Sequence, residues 1–162
     1  MKKLDIITLV NCGVLNMTAH NLKPAHAYKA FKLKREIEKA FNDIQEEQKS
    51  IREENGVTEE LDNKIQKIID KINIKIKVSE DERQEMLAYN EKTRRVTSLL
   101  EKAAEGDVNI DVKTIPYEDW RQLQDENRDK EINGRHYDVL GGKAEIILEG
   151  IFWEEPKDET NN

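Results

Sequence analysis

From Pro24 to Gly106 the chain is densely charged, apolar at helical spacing, and interrupted by a single internal glycine, Gly56. Ala30, Leu33, Ile37, Ala40, Ile44 and Ile51 recur at heptad positions, with Glu47 in the slot between the last two. Leu61, Ile65, Ile68 and Ile72 continue the three-four rhythm, and Met86, Tyr89, Thr93, Val96, Leu100 and Ala103 resume it. A stripe this narrow buries itself only against another helix. The spacing therefore predicts helix-on-helix packing, with Leu33, Ile37, Phe41 and Ile44 on one stripe and Met86, Val96 and Leu100 on another as the interaction residues.

Local signals set the boundaries. Pro24 suits the first position of a helix, where its missing N–H is not needed, and Asn55-Gly56 stops that helix near Glu54. Thr58 is a candidate N-cap for a second helix, with Glu59, Glu60 and Asp62 favoured by the dipole in its first turn. Ser79 and Glu82 have capping-box spacing and start a third helix that Gly106 closes. Between these helices the period changes. Ile72, Ile74, Ile76 and Val78 alternate with Asn73, Lys75 and Lys77, and Val108, Ile110 and Val112 alternate with Asn109 and Asp111; both segments read as strands. Pro116 opens a shorter helix carrying Trp120 and Leu123. Leu4–Val10 reads as a short strand or the first turn of a helix, and Lys143–Trp153 as helix or strand. The expected fold is mainly α with minor β (α+β): an antiparallel, coiled-coil-like helical hairpin with a small two- or three-stranded sheet. Residues 1–153 are expected to form a single elongated domain, and 154–162 a disordered tail.

Charged residues make up 38% of the 162 residues and hydrophobics 36%, so the apolar supply is thin for a compact globule. Helices that each bury one or two side chains per turn fit that supply. A net charge of −7 disfavours duplex nucleic acid and anionic membrane as default partners. Cys12, the sole cysteine, has no partner for an internal disulfide, zinc knuckle or redox pair, which points to a reducing setting. Lys2 and Lys3 precede an apolar run, but Asp5 interrupts it and Asn11 is too polar for a lipoprotein cleavage box, so no export signal is expected. No run approaches the roughly 20 apolar residues of a membrane span.

Candidate chemistry is sparse. His20 and His26 lie six apart across Pro24, which is not the i, i+4 spacing of a helical ligand pair; His136, with Asp138 and Cys12, would need the fold to assemble it. Glu59-Glu60 and Asp81-Glu82 lie where helix dipoles alone favour acids. Gly141-Gly142 lacks the rest of a phosphate loop. The sequence predicts no enzyme, no metal and no cofactor.

Charge also switches along the first helix. Six bases and two acids lie between His20 and Lys39, then eight acids and two bases between Asp43 and Asp62. This pattern favours antiparallel or staggered helix pairing in which opposite ends attract, with Tyr28 and Phe31 in the core and like charges suppressing wrong registers. The alternative is a single-stranded nucleic-acid contact through segment 23–39, with Lys29, Lys32, Lys34 and Arg35 on phosphates and Tyr28 and Phe31 stacking on bases. Trp120, Tyr137, Phe152 and Trp153 concentrate aromatics toward the C-terminus, most often as core or a homomeric contact and less often as a ligand cage; an intramolecular hairpin that satisfies the stripes pairwise would leave Trp153 near the surface of a monomer.

Lys23-Pro24, Tyr28-Lys29, Glu53-Glu54-Asn55-Gly56, Leu99-Leu100-Glu101 and Val108-Asn109-Ile110-Asp111-Val112 occur in an order that resembles small proteins encoded by tailed phages and prophages. The likeness spans about two thirds of the chain and departs from it at Leu61–Ile72 and near His136. It implies a structural or assembly role, with no catalytic residues to carry over. The expectation is thus a non-catalytic interaction protein, homo-oligomeric or bound to a phage structural protein, in the cytoplasm of a bacterial host or on a virion.

Overall fold

The computed structural model describes residues 1–156. Six α-helices run in chain order: α1 (Lys3–Asn11), α2 (Pro24–Glu54), α3 (Glu59–Asn73), α4 (Glu80–Ala104), α5 (Tyr117–Glu126) and α6 (Lys143–Leu148). Strands β1 (Lys130–Ile132) and β2 (Arg135–Tyr137) lie between α5 and α6. The protein is mainly helical with a small two-stranded antiparallel sheet, the expected fold class. Leu4–Val10 resolves as helix, and α6 settles the start of Lys143–Trp153 as helix. Glu154–Pro156 carry no regular structure, and the rest of the expected tail lies outside the described residues.

The strands are not the expected ones. Ile72 and Asn73 finish α3, Ile74 caps it, and Ile76–Val78 is an unpaired connection. Alternating Ile and Lys gives strand composition, but a strand also needs a neighbour for its backbone, and none pairs with it. Val108–Val112 is likewise without a strand partner, apart from the Val108 N–H donating to the Met1 carbonyl at 2.7 Å and an isolated bridge between Lys2 and Asp107. The real sheet is a hairpin closed by Asn133-Gly134, both at positive φ (52° and 75°). Two left-handed residues in succession make the turn whose twist matches antiparallel strands, and Asn-Gly is the pair that adopts it most readily.

The described residues form two compact units, Met1–Asp43 with Gly106 onward, and Ile44–Glu105. In the first, α1 buries Ile6 and Leu9, α2 contributes Ala30, Leu33 and Ile37, and α5 contributes Trp120 and Leu123. Trp120, Phe152 and Trp153 are core, and Tyr137 is half-buried. The Trp120 and Trp153 rings stack at 5.5 Å and 6°, and Phe152 meets Trp120 edge-on at 6.3 Å. Trp153, which the hairpin-monomer reading would leave near the surface, is buried, and its indole N–H donates to the Glu145 carbonyl at 3.2 Å. Gly13 has to be glycine: its φ is +85°, and a Cβ would sit 2.9 Å from Ile132 Cδ1 on β1.

One polar residue is fully buried in this unit. Asn127, just past α5, accepts from the Thr18 N–H at 2.8 Å, and donates to the Thr18 carbonyl at 2.7 Å and the Leu123 carbonyl at 2.8 Å. Its own carbonyl accepts from Val139 N–H. One residue earlier, the Glu126 carboxylate accepts from the backbone N–H groups of His20 (2.7 Å) and Asn21 (2.9 Å). Burial opposes the charge of Glu126, but these two donors outweigh it and hold its pKa below the usual value. Together these bonds satisfy backbone groups of Thr18, His20 and Asn21, in the part of the α1–α2 connection that has no ladder of its own.

Candidate interaction surface

The second unit is built on an antiparallel pair. Lys71 on α3 meets Glu82 on α4, Lys64 meets Glu85 at 2.7 Å, and the Tyr89 hydroxyl donates to Asp62 at 2.8 Å. The partners run in opposite directions along the two helices, so α3 and α4 form the expected helical hairpin. Exposed ion pairs of this kind contribute little energy, yet they fix register. The Asp62 carboxylate raises the pKa of Tyr89 by accepting its hydrogen bond, and Lys71 lowers that of Glu82. Ile65, Ile68 and Val96 are buried along the seam, and Ser79 and Glu82 form the capping box that starts α4.

Two helix ends in this unit use the same stop. After α2, the Val57 N–H donates to the Arg52 carbonyl and the Gly56 N–H to the Glu53 carbonyl, with Gly56 at φ +73°. After α3, the Ile76 N–H donates to the Lys71 carbonyl and the Lys75 N–H to the Ile72 carbonyl, with Lys75 at φ +59°. Both are Schellman motifs. The first has the glycine that the left-handed position favours; the second has lysine there, against the steric preference of an L-residue. The residue after each also differs: Val57 is buried, whereas Ile76 is not.

At this second stop the chain exposes apolar side chains in a group. Ile72 is 46% exposed, Ile74 68% and Ile76 53%, and Leu87 on α4 is exposed as well. A shallow depression beside them is lined by Ile72, Ile76, Val78, Arg83 and Met86, together with Lys75 and Lys77. Single exposed apolar residues are ordinary, but several together mark a contact surface.

The residues expected to form the helix stripes are used within the chain. Leu33, Ile37, Ile44 and Val96 are buried, and Phe41, Met86 and Leu100 are half-buried. The basic segment lies on α2 in the first unit. Lys29 Nζ donates to the Thr114 carbonyl at 2.8 Å, and Lys32 Nζ pairs with Asp111 at 2.8 Å, which raises the Lys32 pKa and lowers that of Asp111. Lys34 is half-buried and Arg35 exposed. Tyr28 and Phe31, expected in the core, are both exposed. The heptad places Ala30, Leu33 and Ile37 inward, and the two aromatics fall off that face. A shallow depression along α2 carries Lys32, Arg35 and Lys39 against Glu36, Glu38 and Asp43, so its charge is balanced.

The histidines do not converge. His20 is exposed; His26 Nδ1 lies 2.7 Å from Asp119 at an angle that makes no hydrogen bond; and His136 Nδ1 is 2.7 Å from Asp129 rather than from Asp138. Among the described residues, no three of His, Cys, Asp and Glu are grouped so as to hold a metal ion, and no helix is long and apolar enough to cross a membrane. No family model, curated protein or solved structure matches this chain.

Proposed function

We propose that this chain is a non-catalytic interaction protein that engages a protein partner through the α3–α4 connection. The observation that carries this reading is the grouping of Ile72, Ile74 and Ile76 on the surface at a helix stop made with Lys75 instead of glycine. Local sequence preference is set aside there, and apolar area is left in water, which is where function commonly overrides folding rules. The phage or prophage setting, with a place in the bacterial cytoplasm or on a virion, rests on the order of segments quoted above. Neighbouring genes for head or tail assembly would support it, and unrelated neighbours would count against it.

The test is a photo-crosslinking side chain placed at Ile74, with Ser98 on α4 as an exposed control position. Crosslinks to protein formed at Ile74 and not at Ser98 are expected. Equal or absent crosslinking at the two positions would sink the reading.

The exposure of Tyr28 and Phe31 supports a second reading, a single-stranded nucleic-acid contact along segment 23–39. It requires salt-sensitive binding of oligothymidylate that weakens when Lys29, Lys32 and Lys34 become Gln. Binding absent at low salt retires it.

A further inference from the structure

We infer that the occupant of the α3–α4 connection is a second copy of this chain, docked on the same surface through a two-fold axis; the inference rests on the reading of that connection as an interaction surface. Charge points to this occupant. Lys75 and Lys77 lie on the connection, and among the described residues their side-chain ammonium groups have no hydrogen-bond or ion-pair partner. Directly after Ser79, the first turn of α4 presents Glu80 and Asp81. Glu80 is held only loosely, by Arg83 at 3.8 Å and the Gln84 amide at 3.1 Å, and Asp81 has no partner. Two bases and two acids thus flank one apolar group.

Arg83, the loose partner of Glu80, also lines the depression, so the surface carries three bases against two acids and too little net charge to draw it to an anionic membrane or a nucleic acid, in a chain whose overall charge is −7. A strongly acidic or strongly basic partner would satisfy one pair and repel the other. A second copy related by a two-fold axis satisfies both, because an isologous contact sets residue i against j and j against i. Lys75 and Lys77 of each copy then face Glu80 and Asp81 of its mate, and the isoleucines of both are covered between them. The surface is small, so the dimer is weak and concentration-dependent rather than permanent.

Sedimentation equilibrium of the full chain at increasing concentration tests this. The weight-average mass is expected to rise from one chain toward two. Ile74→Ser with Ile76→Ser raises the dissociation constant at least about tenfold, with unchanged far-UV circular dichroism because both positions are exposed. Lys75→Glu with Lys77→Glu, and separately Glu80→Lys with Asp81→Lys, abolish self-association. Mixing these two charge variants restores a dimer composed of one of each. A wild-type monomer at all concentrations up to about 1 mM, or a dimer indifferent to these changes, overturns the inference, as does a failure of the mixed variants to pair. Photo-crosslinks at Ile74 separate this failure from that of the broader reading. Adducts with a different protein and none of two-chain mass leave the interaction surface standing and remove the second copy.

Discussion

At the scale of single residues, the two Schellman stops make a controlled comparison within one chain. Gly56 and Lys75 occupy equivalent positions with the same pair of backbone hydrogen bonds, and differ in the presence of a Cβ. Replacing Lys75 with Gly is expected to stabilise the protein by about 0.5–1 kcal/mol, and replacing Gly56 with Ala to destabilise it by a similar amount. Urea titration of both variants reads the two signs; a loss of stability in Lys75→Gly would mean that the lysine side chain does structural work at the connection. Glu126 gives a pH-dependent counterpart. Its carboxyl is depressed in the folded protein relative to the ordinary value of 4.5. The stabilisation it gives is therefore fully present above that value and is lost as pH falls through the lower, folded pKa. Glu126→Gln is expected to cost about 1 kcal/mol at pH 7 and next to nothing well below the folded pKa, because a partly exposed carboxylate is discounted by solvent. Thermal melts across the acid range check it, and a pH-independent cost would contradict the assignment. Asn127→Ala leaves the Thr18 N–H and carbonyl without their partner in a partly buried site and is expected to cost about 2 kcal/mol at any pH.

At the scale of elements, helices were legible wherever a local rule and the hydrophobic period agreed. Pro24 starts α2, Thr58 caps α3 by accepting from the Leu61 N–H, and the Ser79–Glu82 box starts α4. Strands are less legible, because period two is a statement about side chains, whereas a strand exists only when another backbone lies beside it. Ile72–Val78 satisfies the pattern and has no neighbour. Lys130–Tyr137 shows little alternation, yet Asn133-Gly134 forces the chain back on itself and supplies the neighbour. That dipeptide was the usable signal, since it encodes a turn geometry directly. The candidate surface was hidden for the same reason: Ile74 and Ile76 looked like one face of a sheet, so their exposure could not be read from composition. Asn127 left no sequence signal at all, because its partners at Thr18 and Val139 are brought to it by the fold. A direct check of the corrected assignment is limited trypsin digestion of dilute protein. The first cuts are expected after Lys75 and Lys77, in the unpaired connection, and resistance there with early cleavage at Lys130 would restore the strand reading.

At the scale of the whole molecule, burial is divided unequally. Of the twenty-four buried apolar residues among those described, nineteen belong to the first unit, and the second holds Ile44, Val57, Ile65, Ile68 and Val96. Each fully buried aliphatic side chain contributes about 1.5–3 kcal/mol, and helices without tertiary packing are marginal in water. The second unit is therefore expected to open first, at lower denaturant, as a sub-global unit. The chain carries its own probes for this. Both tryptophans, Trp120 and Trp153, lie stacked in the first unit, while roughly half of the α-helical residues lie in the second. In a urea titration at low protein concentration, far-UV circular dichroism is expected to lose about half its helical amplitude while tryptophan fluorescence still reports the native state. Ile65→Ala should move the first transition to lower urea and leave the second in place; Leu123→Ala should do the reverse to the fluorescence transition. If fluorescence and helicity fall together in the wild type and shift together in both variants, the continuous α2 helix couples the two units into one cooperative transition, and the unequal division of the core has no consequence for unfolding.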